Sequence, residues 1–270
     1  EKTKTMAAQV TSSEFPVRIS VTTFNVWGNN HWPERAVPLT QTLQSMRSDV
    51  YLLQEVTPAI IEYLDKNLCN YKHVEDKRIG WSTESNIYWN DELFELVDYG
   101  TGDMDITNYP NRCMFWARLA VRANPSYKVF FSTAHFPWAG DDYEVETGMN
   151  QRIPAALKIC EHFRRLVLPQ ECAIFGGDIN DDFHPIRILS EEVGLMDVFE
   201  SLDLPPPITH PVRPSDPREE MRPNRTLDWI LCSLPAQCRV IGAFAKTVRG
   251  GSLVPISDHL PVMAWFEIRQ

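Results

Sequence analysis

The 270-residue sequence predicts an α/β fold of mixed β-sheets packed face to face, with helices on the outside. Segments of strand character outnumber helical ones by about two to one. They also come in groups rather than in regular βαβ alternation, which argues for packed mixed sheets instead of one parallel sheet. No repeat, low-complexity tract or linker divides the chain, so a single domain is expected over residues 16–270. Residues 1–15, EKTKTMAAQVTSSEF, lack the apolar core of a signal peptide and are expected to be a poorly ordered polar lead-in.

Each strand is recognised by β-branched and aromatic residues recurring with period two. The first is 17–26 (VRISVTTFNV), followed by a helix over 33–47 with Pro33 near its first turn. A strand at 49–54 precedes a helix at 57–67, where Thr57-Pro58 has the N-cap then N1 pattern. Strands follow at 86–90, 114–121 (MFWARLAV) and 127–134 (YKVFFSTA). One long helix is expected over 145–167, placing Ile153, Ala156, Leu157, Cys160, Phe163 and Val167 on one face, with Pro154 as an alternative start. A strand at 172–176 and a short helix at 185–192 come next. Residues 205–223 hold seven of the twenty prolines and form a long loop. Loops of that length in a compact domain are often functional. Strands at 228–233, 238–245 and 261–268 complete the chain.

The net charge of −10 disfavours a protein that grips duplex nucleic acid through its phosphates, because such surfaces are basic. A nucleic-acid contact must then be local, or the substrate small. No apolar run of about 18 residues exists, so no membrane insertion is expected. The six cysteines form no C-x-x-C pair, and most sit in apolar runs. Reduced thiols, an intracellular setting (cytoplasmic or nuclear) and a monomer without obligate protein partner are the expectation. The sequon Asn224-Arg225-Thr226 is read as unmodified.

Polar residues at strand ends are the main functional signal. In IFGGDIND (174–181), Asp178 and Asn180 leave an apolar strand on the same face, behind two glycines that permit close approach. Asp and Asn also start turns, so this motif alone does not decide. The pattern recurs, however. Asn25 ends VTTFN, Glu55 follows VYLLQ, His135 ends FFSTAH, Asp228 starts DWILC, and Asp258-His259 precede the last strand. Asn25, Glu55 and Asp258 offer hard oxygen ligands, which suit Mg²⁺, or Mn²⁺ as a substitute. No His/Cys cluster points to zinc.

In this order and spacing, F-N-x-W, L-Q-E-V, x-A-H-F, G-D-x-N, L-D-W-I and S-D-H-L, spanning residues 24–260, resemble the endonuclease/exonuclease/phosphatase superfamily. The resemblance implies a four-layered α/β sandwich and a metal-dependent phosphoesterase. It implies that Glu55 is the principal metal ligand, completed or supported by Asn25 and Asp258. Asp228 and His259 resemble the family's carboxylate–imidazole pair, and Asp178 the residue that orients or deprotonates the attacking water. Asn180 would hold that water or a phosphate oxygen, and His135 would contact the phosphate. Whether Asp178 or His259 is the base stays open in the sequence. Arg112 matches a phosphate-binding arginine or a plain surface residue, and Glu84 an acid that orients His135. Trp27 and Trp138 either stack on a base or cap the core. Arg225 is the loop arginine nearest the site. Asp181 and Asp182 fall outside the pattern and are read as solvated or loop-capping. The acidic balance favours a single-stranded or end-blocked nucleic acid, or a nucleotide-like phosphodiester. The alternative is a non-nucleic substrate such as an inositol phosphate or a sphingomyelin-like lipid. A catalytically silent scaffold would have lost part of this set, and every member is present.

Overall fold

The computed structural model describes residues 16–213, 221–247 and 254–268. The expected lead-in at 1–15 lies outside them, as do Asp216, Arg218, Glu219 and Glu220 of the proline-rich loop.

Two six-stranded sheets form the centre. The first contains β1 (Val17–Asn25), β2 (Val50–Gln54), β3 (Tyr71–His73), β4 (Ser85–Asn90), β11 (Cys238–Ala245) and β12 (Val262–Ile268), in the order β11-β12-β1-β2-β4-β3. The second contains β5 (Phe94–Asp103), β6 (Cys113–Val121), β7 (Asn124–His135), β8 (Cys172–Asp178), β9 (Met196–Asp197) and β10 (Asp228–Ser233), in the order β5-β6-β7-β8-β10-β9. Both sheets are mixed: β1–β2 and β7–β8 run parallel, and the other pairs antiparallel.

Alternation along each strand divides the apolar residues between two faces. Val21, Leu52, Ile87 and Phe266 of the first sheet meet Phe115, Phe131, Ile174 and Ile230 of the second in the central core. The opposite residues face helices. Phe24, Tyr51, Leu53 and Tyr88 pack on α1 (Ala36–Met46) and α2 (Pro58–Asn67). Phe130, Phe175 and Leu231 pack on α5 (Arg152–Leu166) and α6 (His184–Val193). The result is helix, sheet, sheet, helix: the four layers the sequence implies.

Local chemistry accounts for the element ends. Thr57 caps α2 through Ile60 N–H, with Pro58 at the first helical position. The long helix expected over 145–167 is two helices, α4 (Asp142–Thr147) and α5. Gly148, at φ 70°, ends α4 in a left-handed cap. The buried face of α5 is Arg152, Ala155, Ala156, Ile159, Cys160 and Phe163, and Ile153 and Leu157, expected on it, are exposed. The helix expected from residue 33 begins at Ala36. A short helix, α3 (Gly80–Thr83), and the strands β3, β5 and β9 were not anticipated. These strands are short or carry polar, exposed side chains, so their apolar alternation is weak.

Gly176 and Gly177 serve packing between strands. A Cβ on Gly177 would lie 2.3 Å from the carbonyl oxygen of Ala134, and one on Gly176 would lie 2.7 Å from Leu52 of the opposite sheet. All six cysteines are free thiols, Cys69 exposed and most others buried. No helix among the described residues is long and apolar enough to cross a membrane.

Candidate active site

Strand register assembles the polar residues. His135 ends β7 opposite Asp178 at the end of β8, and Asp178 lies opposite Asp228 at the start of β10. One row across the second sheet therefore carries all three. In the first sheet Asn25 pairs with Gln54, which puts Glu55 one residue beyond the strand. The segment before β12 brings Asp258 and His259 to the same edge. A cavity of about 200 Å³ is lined by Glu55, Arg112, His135, Asp178, Asn180, Asp258 and His259, together with Trp27, Trp138, His210 and Arg222.

At its floor, His259 Nδ1 is 2.7 Å from Asp228 Oδ2, and His259 Nε2 is 3.6 Å from Asp178 Oδ2. Asp228 thus fixes one ring nitrogen and leaves the other facing the cavity. Burial opposes charge on His259, yet Asp228, Asp178 and Asp258 outweigh it and hold its pKa well above the ordinary value. Burial pushes Asp178 up to about 7, against the pull of His259 and the Asn25 hydrogen bond. Asp178 Oδ2 accepts from Asn25 Nδ2 at 2.9 Å, and its Oδ1 accepts from the backbone N–H of Asn180 at 3.0 Å. His135 Nε2 stands 3.5 Å from Asp178. Burial, then the positive charges of Arg112 and His259, push the His135 pKa well down, so the ring is neutral near pH 7.

Three expected site residues make contacts the sequence did not show. Asn25 was expected to offer its oxygen to a cation. Its Oδ1 accepts Trp27 N–H at 2.9 Å, and the amide nitrogen donates to Glu55 Oε1 at 3.0 Å as well as to Asp178. Asn25 therefore spaces and aims the two carboxylates. Glu84 was expected to orient His135. It accepts from Arg112 Nε at 3.2 Å instead, while buried His135 Nδ1 has no hydrogen-bond partner among the described residues. Arg225 was expected nearest the site; it pairs with Asp182 at 3.0 Å and lines an adjoining cavity of about 370 Å³. Arg222 and His210 line both cavities.

Arg112 reaches the central cavity, held by Glu84, the Phe136 carbonyl and the ring of Tyr109. Trp138 is 42% exposed and lines both cavities, its Nε1 bonded to Tyr109. Trp27 is buried at the rim. Asp181 is not solvated: it is buried, caps the turn at Phe183 and His184, and accepts from the buried Arg152. Glu55 and Asp258 present carboxylate oxygens to one cavity, a donor set that fits a hard divalent cation such as Mg²⁺.

Several supporting residues escaped the sequence reading. Gln54 Nε2 donates to Thr23 of β1 at 3.0 Å and to Thr133 of β7 at 2.8 Å, which joins the two sheets beneath the site. Ser257 donates to the Asn25 carbonyl and accepts His259 N–H. Arg35, fully buried, donates to the carbonyls of Val26, Trp27, Gly28, Asn30 and Ile256. It thereby pins the loop after β1 to the segment that carries Asp258. Its desolvation is partly offset by Asp258 and Glu55. An Arg at the start of a helix carries no signal of this kind in one sequence.

The architecture is the fold of endonuclease/exonuclease/phosphatase family proteins. No protein-family model matches the chain, and no curated protein matches it by sequence. Among solved structures, TDP2 of D. rerio complexed with single-strand DNA product superimposes with a TM-score of 0.76 at 17% identity, covering 92% of this chain and 98% of that one. An endonuclease/exonuclease/phosphatase family protein of Bacteroides thetaiotaomicron gives 0.76 at 18% identity, covering 94% and 99%. A mannosyl-6-phosphatase of the same bacterium gives 0.73 at 18% identity, covering 91% and 98%. At these identities the likeness is one of fold.

Proposed function

We propose that this chain is a Mg²⁺-dependent phosphodiester hydrolase, with Mn²⁺ as a substitute ion. Its proposed substrate is a single-stranded or end-blocked nucleic acid, or a nucleotide-like molecule. The observation that carries this reading is Asp178 Oδ2 facing His259 Nε2 at 3.6 Å while Asp228 holds the far ring nitrogen. A carboxylate and an imidazolium so placed divide the work on a phosphoester between a base and a charge stabiliser.

Asp178, with a pKa of about 7, is the group that takes a proton from water. His259 is held protonated by its carboxylates, so it donates a hydrogen bond to a phosphate oxygen rather than acting as base. Neutral His135 and Arg112 face the same phosphate. Asn180, its amide fixed by the Phe136 carbonyl at 3.0 Å, positions the water or an oxygen of the phosphate. Glu55 and Asp258 hold the cation, with Asn25 setting their neighbour's direction. The bound cation supplies Lewis-acid neutralisation of the phosphate charge.

Exposed Trp138 beside Arg222 offers a stacking face next to the phosphate position, which supports a base or aryl group on the substrate. The likeness to TDP2 with its single-strand DNA product supports the same choice. The working unit is proposed to be an intracellular monomer. A second reading, a phosphate ester of a small molecule, is favoured by the modest central cavity of about 200 Å³ and by the comparable likeness to a mannosyl-6-phosphatase. A hydrolysis panel with Glu55→Ala as control separates the two. It contains single-stranded RNA, single-stranded and duplex DNA, a 5′-tyrosyl DNA end, an inositol phosphate, a sugar phosphate and sphingomyelin. Cleavage of a nucleic acid, lost in Glu55→Ala, is the expected result. Activity confined to a small or lipid phosphate would replace the first reading with the second.

A further inference from the structure

We propose that Cys172 and Cys238 form a reversible disulfide site for peroxide-class oxidants, at the end of the sandwich opposite the candidate active site, and that the bond locks the two sheets together. Cys172 begins β8, the strand that Asp178 ends. Cys238 begins β11, opposite Ile268 of β12. Cys172 thus belongs to the second sheet and Cys238 to the first. Both line one cavity of about 440 Å³, together with Tyr127, Leu168 and Pro235.

Cys172 is buried in the central core, and half-buried Cys238 packs against that core. The Cys172 thiol donates a hydrogen bond to the Cys238 sulfur, so the two sulfurs lie side by side across the sheets. The other thiols are placed differently. Cys113 accepts from Arg78, Cys160 lies on α5, and Cys69 is exposed. Cys232 is buried in the same core but does not line the cavity. β11 is an edge strand, bonded within its sheet to β12 alone. Its first residue can therefore shift toward Cys172 at less cost than a residue of a central strand.

The hydrogen bond from Cys172 lowers the Cys238 pKa against the effect of burial, while Cys172 itself is held protonated. Cys238 is therefore the nucleophile. Its thiolate attacks one oxygen of hydrogen peroxide and the O–O bond breaks. Cys238 becomes a sulfenic acid, and the hydroxide released is neutralised by the proton that Cys238 gave up. The Cys172 sulfur then attacks the Cys238 sulfur. The S–S bond forms, the S–O bond breaks, and the departing hydroxide takes the Cys172 proton as water. Two thiols are oxidised to one disulfide, and one peroxide is reduced to two waters. The bridge closes the chain segment that carries Asp178, Asn180 and Asp228, which restricts the unfolded chain and stabilises the folded one.

The test uses Cys69→Ser protein, so that the exposed thiol forms no bridges between molecules. Hydrogen peroxide is added to the reduced chain, remaining thiols are alkylated, and peptides are mapped by mass spectrometry without reductant. The expected product is a peptide linked through Cys172 and Cys238, which dithiothreitol separates. The oxidised form should unfold at a midpoint roughly 5–10 °C above the reduced form. Cys232→Ala should form the same bridge. Cys238→Ser should form none and show no rise. Circular dichroism verifies that this variant is folded, and Cys172→Ala is the second probe if it is not. Oxidation of Cys238 to sulfinic acid without a bridge, a bridge to Cys232 instead, thiols unchanged by peroxide, or a bridge that leaves the midpoint unmoved would overturn the proposal. Each result can be read whether or not the protein hydrolyses any phosphate.

Discussion

At the scale of single residues, the site depends on buried charges arranged in opposition. Asp228 has one oxygen on His259 and another, Oδ1, buried without a hydrogen-bond partner among the described residues. Its function is therefore directed at the imidazole. Asp228→Asn should remove the anchoring anion, lower the His259 pKa toward ordinary values and cut turnover on the order of 10²- to 10⁴-fold. An NMR titration of His259 beside the kinetic measurement checks both; an unshifted pKa with full activity would refute the assignment. The catalytic candidates were legible in the sequence because short polar motifs end apolar strands. Their partners were not. Glu84 bonds Arg112 rather than His135, and the Asn25 amide nitrogen bonds Glu55 and Asp178. Which atom of a side chain faces which neighbour depends on backbone donors such as Trp27 N–H, and residue type alone does not report them.

At the scale of elements, strand register does most of the positioning. Gly177 lets β8 approach β7 closely enough to align Asp178 with His135. Gly177→Ala would set a Cβ against the Ala134 carbonyl, a rigid backbone atom. It should cost about 1–3 kcal/mol in urea unfolding and reduce activity through misalignment. Native stability in that variant would contradict the packing argument. Asp197, which caps the turn after β9 through Phe199 and Glu200 N–H, is pushed by burial from 3.8 up to about 6. The folded state therefore holds a proton that the unfolded chain releases, and stability from this residue falls as pH rises from about 4 to 6. Asp197→Asn should reduce that fall by up to about 3 kcal/mol, read from urea midpoints across the range. An unchanged pH profile would refute it. Strands with strong alternation were readable in advance. The break between α4 and α5 was legible only as the alternative start at Pro154, just inside α5, and Ile153 and Leu157 were placed on the buried face although they are exposed.

At the scale of the whole molecule, the four layers place loops from both sheets on one edge, and every candidate catalytic residue sits there. The sequence motifs implied this, since a set of strand-end residues needs a common edge to act together. What the sequence could not supply is the joining of the sheets by Gln54, the pinning of two loops by Arg35, and the meeting of His210 with Asp258 and His259. Each depends on chain segments distant in sequence. The central claim is that Asp178 activates water in a metal-dependent phosphoesterase, and Mg²⁺-dependent release of nitrophenol from a bis-nitrophenyl phosphate by native and Asp178→Asn protein tests it most directly. The account predicts chelator-sensitive turnover by the native chain and a loss of several orders of magnitude in the variant, with the thermal midpoint preserved. Near-native turnover by a folded Asp178→Asn protein, or none by the native chain with Mg²⁺ or Mn²⁺ at any pH, would contradict it.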